Sequence, residues 1–170
     1  AMARYREVAV GPNQFAAQLR VAVLLAGQSK VADARALLAQ TKPDSPEEVA
    51  QRVMTEAEIL ASHHQMDEAM TVYNNALNGV YDTVLLYNRA MLAERMDRLE
   101  ILERDLNTII AHDPLNAQAL NALGFTLADR TTRYVEAEGF IRRALAQSPK
   151  DFYILDSMGW VLHQQGRSAE

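Results

Sequence analysis

The sequence predicts an all-α fold, an α-solenoid of stacked helix–turn–helix hairpins wound into a right-handed superhelix. Three observations predict it. Alanine and leucine dominate a chain of 170 residues, of which 49% are hydrophobic and only seven are glycine and five proline; this is a helical, globular profile. Apolar residues recur three and four apart, as in Leu99, Leu102, Leu106, Ile109 and Ile110. Residues 119–127 also echo residues 154–162, with Leu120/Leu155, Gly124/Gly159, Leu127/Leu162 and Pro114/Pro149 all offset by 35 residues. Self-similarity at a fixed period of this size marks a repeat architecture.

Helices are expected over residues 13–27, 30–41, 46–63, 66–77, 81–95, 97–112, 116–129, 133–147 and 151–165. Taken in pairs they form a single array, with repeats of about 15–48, 50–82, 83–116 and 117–151 and a half repeat over 152–170. The first repeat supplies Ala22 and Leu25 on its leading helix (A), then Ala34 and Leu38 on its following helix (B). Ser45 is its expected boundary N-cap, with Pro46 and acidic residues in the next turn. The second repeat has Val53, Ala57 and Leu60, then Ala69, Tyr73 and Ala76, with 66–68 leading into helix B. The third is degenerate: Leu86, Ala90 and Ala93 precede Leu102, Leu106 and Ile109, but Arg89 stands where an apolar residue is expected.

The fourth repeat is the most regular. Leu120, Leu123, Gly124 and Leu127 lie on helix A, and Ala137, Ile141 and Ala144 on helix B, with Pro149 closing it and one extra residue within 128–133. Small residues at Ala57, Ala90, Gly124 and Gly159 are expected to let helix B approach helix A closely. Gly139 and Gly166 are likewise assigned to packing or turns. Pro114 and Pro149 cannot continue a helix, so each ends a helix B. Both ends read as cut: residues 5–8 resemble the tail of a preceding helix B, Ala1-Met2 a cloning remnant, and Glu170 falls one residue short of the next helix-B alanine.

This spacing resembles the tetratricopeptide (TPR) repeat, a helix–turn–helix of about 34 residues. The resemblance implies that one face of each A helix lines the concave wall of the array, where ligands are held. Carried onto this chain, the wall comprises Val84, Tyr87, Met91, Glu94 and Arg95, then Gln118, Asn121, Phe125, Ala128 and Asp129, then Tyr153, Asp156, Trp160, His163 and Gln164. The candidate partner-binding set is Tyr87, Asn88, Met91, Gln118, Asn121, Phe125, Tyr153, Asp156, Trp160 and His163. Aromatic anchors beside amides and carboxylates suit a polypeptide ligand, since they supply apolar contact and satisfy backbone polar groups. Tyr87, Phe125 and Trp160 also fit packing between adjacent A helices, and one ring can do both. The TPR clamp for C-terminal carboxylates needs cations beside asparagine; here Asn88 and Asn121 are accompanied by Gln118 and Asp156.

Other function classes find little support. A net charge of -5 without a basic run argues against nucleic acid. The absence of cysteine removes disulfides, thiolate metal sites and thiol nucleophiles, and fits a cytosol and a periplasm equally. His63 and His64 would point about 100° apart on a helix and cannot share a metal; a solvated turn is expected there. His112 suits a helix C-terminus. No carboxylate pair or glycine-rich loop converges into an enzyme site, so no catalytic residue, metal or cofactor is expected. No window approaches a membrane span, and residues 1–4 do not begin a secretion signal.

Residues 120–131 and 155–162 are more particular than the generic repeat. They resemble the C-terminal part of large outer-membrane TPR lipoproteins of proteobacteria, the LbcA-type adaptors. That resemblance implies a periplasmic adaptor, anchored by a lipid outside these residues, that brings substrates such as cell-wall hydrolases to a C-terminal processing protease. A cytoplasmic location is the alternative. A structural or self-assembly module, with self-association through exposed apolar surface, is the second expectation.

Overall fold

The computed structural model describes residues 14–167. The sequence features at residues 1–2, 5–8 and 170 lie outside them. The described residues form nine α-helices and no strand: α1 (Gln14–Ala26), α2 (Val31–Gln40), α3 (Pro46–Ser62), α4 (Met66–Ala76), α5 (Thr83–Arg95), α6 (Leu99–His112), α7 (Ala117–Arg130), α8 (Tyr134–Gln147) and α9 (Phe152–Gln164). The boundaries agree with those expected to within two residues.

Side-chain caps fix several helix starts. The Ser45 hydroxyl accepts the Glu48 N–H at 3.2 Å, with Pro46 in the first turn, and Asn116 accepts Ala119 N–H at 3.0 Å. Asp151 accepts the N–H groups of Tyr153 and Ile154, and Asp82 that of Leu85 at 2.9 Å. Each satisfies donors that a helix N-terminus leaves unpaired. Three A-to-B turns and the turn after α9 share another device, a residue in the left-handed region: Ser29, His64, Asp97 and Gly166, with φ of 62°, 63°, 56° and 75°. At the second, His64 N–H donates to Ala61 O and Gln65 N–H to Leu60 O, the two bonds of a Schellman motif. The turn after α7, which carries the extra residue, is built differently. Thr131 is extended there; its hydroxyl donates to Leu127 O and accepts from Arg133 N–H.

The chain divides into two compact units, up to Asn88 and from Arg89 onward. In the first, α1 packs on α2, α3 on α4, and both α1 and α2 on α3. Ala22, Ala26, Ala34, Leu38 and Ile59 form a core cluster flanked by Leu19, Leu25, Val31 and Leu37. Arg35 bonds Glu56 at 2.9 Å between α2 and α3. In the second unit α7 packs on α6 and α8, and α9 on both α7 and α8. Leu102, Leu106, Ile109, Leu120, Leu123, Leu127, Ile141 and Val161 are fully buried. At Gly124 a Cβ would lie 2.6 Å from Ile141 Cγ1 and 2.8 Å from the Ala137 carbonyl oxygen, so only glycine admits α8 at this distance.

Four expectations need correction. Arg89 takes an apolar position because it pairs with Asp105: its Nε and Nη2 donate to Oδ2 and Oδ1 at 2.6 and 2.8 Å. Arg104 Nε adds a third bond at 3.0 Å to this carboxylate, which is only 1% exposed. His63 is not a solvated loop residue; it is half-buried, with Nδ1 2.8 Å from Ile59 O and Nε2 3.0 Å from Ala26 O, tying together the ends of α3 and α1. A Cβ at Gly139 would meet nothing within 4 Å, so packing does not require glycine there. Gly124 is covered by Ala137, Phe140 and Ile141 of α8, while the helix B expected against Gly159 lies outside the described residues. Ala128 is buried in the core and does not line a wall.

Candidate polypeptide-binding groove

Successive A helices α7 and α9 enclose a hollow of about 660 Å³ lined by Phe125 and Asp129 from α7 and by Leu155, Asp156, Gly159, Trp160 and His163 from α9. Its position follows from helical periodicity. Phe125 and Asp129 are four apart and share one face of α7, and Asp156, Trp160 and His163 sit at spacings of four and three on α9. The opposite faces are occupied: Leu123 and Leu127 on α7, and Ile154 and Val161 on α9, are buried. Gly159 presents no side chain, which leaves the wall recessed between Leu155 and Trp160.

The lining combines rings with acids. Trp160, 37% exposed, lies against His163 with ring centroids 5.9 Å apart and planes inclined at 34°. Asp129 and Asp156 are exposed and have no hydrogen-bond or ion-pair partner among the described residues. Other acids of this unit are matched by cations: Glu138 bonds Arg142, Gln165 and Arg167, and Arg133 bridges Glu103 and Glu136. Those contacts hold the carboxyls of Glu138 and Glu136 below their usual range and raise the Arg133 guanidinium. No lysine or arginine lines the hollow.

Of the ten candidate residues, Phe125, Asp156, Trp160 and His163 are thus brought together in one hollow. Gln118 and Tyr153 are exposed and lie outside its lining, Tyr153 standing edge-on to Phe152 with centroids 6.4 Å apart. Asn121 is half-buried, and its Oδ1 has no hydrogen-bond partner among the described residues. Met91 is half-buried on α5, and Tyr87 and Asn88 belong to the first unit. Asn88 Nδ2 there donates to Val84 O at 2.8 Å and lies 3.8 Å from Met54 Sδ. Leu155 and Gly159 complete the lining unforeseen; the clue to Gly159 was its place one residue before Trp160 on the same helix. The first unit has its own hollow of about 460 Å³ between A helices α1 and α3, lined by Val23, Ala26, Gly27, Met54, Thr55, Glu58, Ile59, Ser62 and His63.

Among the described residues no group of three metal-ligating side chains converges, and no helix is long and apolar enough to cross a membrane. The stacked hairpins, their A-to-B turns and the hollow between A helices define an all-α tetratricopeptide array, a class whose members bind protein or peptide partners. No protein-family model matches the chain. The chain is 41% identical to the TPR repeat-containing protein PA4667 of Pseudomonas aeruginosa, over its whole length but only 29% of that protein's. It superposes on a tetratricopeptide repeat protein from Parabacteroides merdae with a TM-score of 0.73 at 19% identity, covering 91% of this chain and 62% of the other. YrrB, described as a TPR protein with an unusual peptide-binding site, superposes with a TM-score of 0.63 at 15% identity, covering 89% and 77%. The chain thus has the tetratricopeptide-repeat fold, and it spans less than a third of the length of this Pseudomonas relative.

Proposed function

We propose that this chain is a non-enzymatic adaptor that seats a polypeptide segment in the hollow between α7 and α9. The observation that carries the reading is the recessed wall itself, where Phe125, Leu155 and Trp160 supply apolar contact and unpaired carboxylates stand beside them. Such a mixture anchors side chains while accepting hydrogen bonds from an extended backbone. The peptide-binding site for which YrrB is described supports the use of this fold for peptide capture. The finer reading is a periplasmic, outer-membrane-anchored adaptor that presents cell-wall hydrolases to a C-terminal processing protease. It rests on the resemblance of residues 120–131 and 155–162 to the lipoprotein adaptors, and the 41% identity to the Pseudomonas protein is consistent with it.

The test uses the full-length protein in cells, with a photo-crosslinking amino acid at Phe125 or His163 and, as control, at Gly139 on α8. Adducts with a protease or a hydrolase from the groove positions alone are expected. Equal labelling from Gly139 contradicts the groove, and adducts with neither class contradict the adaptor role. Membrane fractionation with lipid labelling tests the anchor.

A second reading, self-assembly, has its own observation. Phe152 and Tyr153 at the start of α9 are 76% and 79% exposed, and Arg142, Leu145, Ala146, Met158 and Leu162 line a further hollow between α8 and α9. Sedimentation across a concentration series separates the two: an oligomer that persists in the full-length protein supports assembly, and a monomer rejects it.

A further inference from the structure

We infer that the segment received between α7 and α9 is cationic: a lysine or arginine flanked by aliphatic or aromatic residues. The inference deepens the groove reading and rests on it. The argument is one of charge complementarity. Among the seven lining residues are two carboxylates, Asp129 on one wall and Asp156 on the other, and no lysine or arginine. Neither carboxylate is matched by a cation among the described residues, although this unit is rich in arginine. Arg130, adjacent to Asp129 in sequence, is drawn instead to Asp97 at 3.1 Å, and Arg142 and Arg167 converge on Glu138. Two carboxylates therefore face one hollow with no cation of the described residues beside them.

The apolar part of the lining points to the same ligand. A lysine or arginine carries a long aliphatic stem that can lie along Leu155 and Phe125 while its head reaches a carboxylate. The indole of Trp160 is the side chain whose face attracts a cation most strongly. An acidic segment would instead meet two like charges, which selects against it. An arginine head would engage a carboxylate through two parallel N–H donors, so arginine should bind more tightly than lysine. The net charge of -5 over the chain adds long-range attraction for the same sign of partner.

Isothermal titration calorimetry on this chain tests the inference with three soluble Ser/Gly peptides that each carry one short segment: Leu-Arg-Leu, Leu-Gln-Leu or Leu-Glu-Leu. The arginine peptide is expected to bind about tenfold or more tighter than the glutamine peptide, and the glutamate peptide weakest, with the preference fading as salt is raised. In the Asp129→Asn/Asp156→Asn variant, binding of the glutamine peptide should persist while the arginine preference falls to about twofold or less. Three peptides that bind alike, with no effect of the double variant, overturn the cationic assignment and leave the groove reading standing. If none binds, or if Phe125→Ala leaves all binding intact, the groove reading fails and takes this inference with it. Circular dichroism on the double variant guards against misfolding; both substitutions are exposed, so an unchanged spectrum is expected.

Discussion

Replacing Gly124 by alanine tests the close approach of α7 and α8. In a helix interior alanine is normally preferred to glycine by about 1 kcal/mol, so a blind substitution should stabilise. Here the new methyl would stand 2.6 Å from Ile141 Cγ1, 2.8 Å from the Ala137 carbonyl oxygen and 3.2 Å from Phe140 Cβ. Carbon atoms settle at about 3.5–4.0 Å, so α8 must retreat or Ile141 must leave its rotamer. Ile141 is fully buried and the carbonyl is backbone, so neither can turn aside without moving the helix. Overpacking of this kind costs about 1–3 kcal/mol, and displacement of a whole helix places the case at the upper end. Set against the propensity gain, Gly124→Ala should destabilise by about 2 kcal/mol and lower Tm by about 4–8 °C. Gly139→Ala meets no neighbour within 4 Å and should stabilise by about 0.5–1 kcal/mol. Thermal and urea unfolding of the two variants decide it. A stabilised Gly124→Ala, or a Gly139→Ala that loses as much as Gly124→Ala, refutes the account of hairpin packing.

The remaining predictions concern turns and charges. Ser29→Gly relieves a left-handed backbone at φ 62° and should stabilise by about 0.5–1 kcal/mol in urea unfolding, whereas Gly166→Ala, at φ 75°, should destabilise by a similar amount. Asp105→Ala strands Arg89 beside an apolar core and should lower stability by about 3–5 kcal/mol, while Arg89→Met/Asp105→Leu should recover most of it, because well-packed hydrophobes can replace a buried ion pair. The Glu138 carboxyl is held below its ordinary 4.5 by Arg142 first and Gln165 second. A lowered folded-state value means stability that is present above the unfolded value and lost as pH falls through the folded one. Acid unfolding should therefore steepen below about pH 4.5, and Glu138→Gln should flatten that fall, read from urea midpoints at successive pH values.

The helices and their pairing were legible because they rest on local periodicity, on proline and on small residues at fixed spacing. Ala22, Ala34, Leu38, Ala57, Leu60, Leu120 and Leu127 are all buried as that pattern requires. What the pattern could not supply were contacts made across it. Arg89 read as a defect because its partner, Asp105, lies on the next helix, where an acid looks like any solvent-facing residue. His63 read as a loop residue because its second acceptor, Ala26 O, belongs to another hairpin. Gly124 and Gly139 are both helix-interior glycines in sequence, and what distinguishes them is that α8 lies against Gly124 while nothing lies within 4 Å of a Cβ at Gly139. The candidate site was legible in the same measure. Helical spacing placed Asp156, Trp160 and His163 on one face, while the part played by Leu155 and Gly159 depends on how α9 is turned toward α7.

The 170-residue chain contains a single tryptophan, Trp160, and it stands in the groove. Its fluorescence during titration with a bound polypeptide is therefore the most direct test of the central claim. The account predicts a saturable shift of emission to shorter wavelength as the ligand covers the ring, lost when Phe125 is replaced by alanine. Binding demonstrated by calorimetry while Trp160 emission stays unchanged would place the partner elsewhere and contradict it.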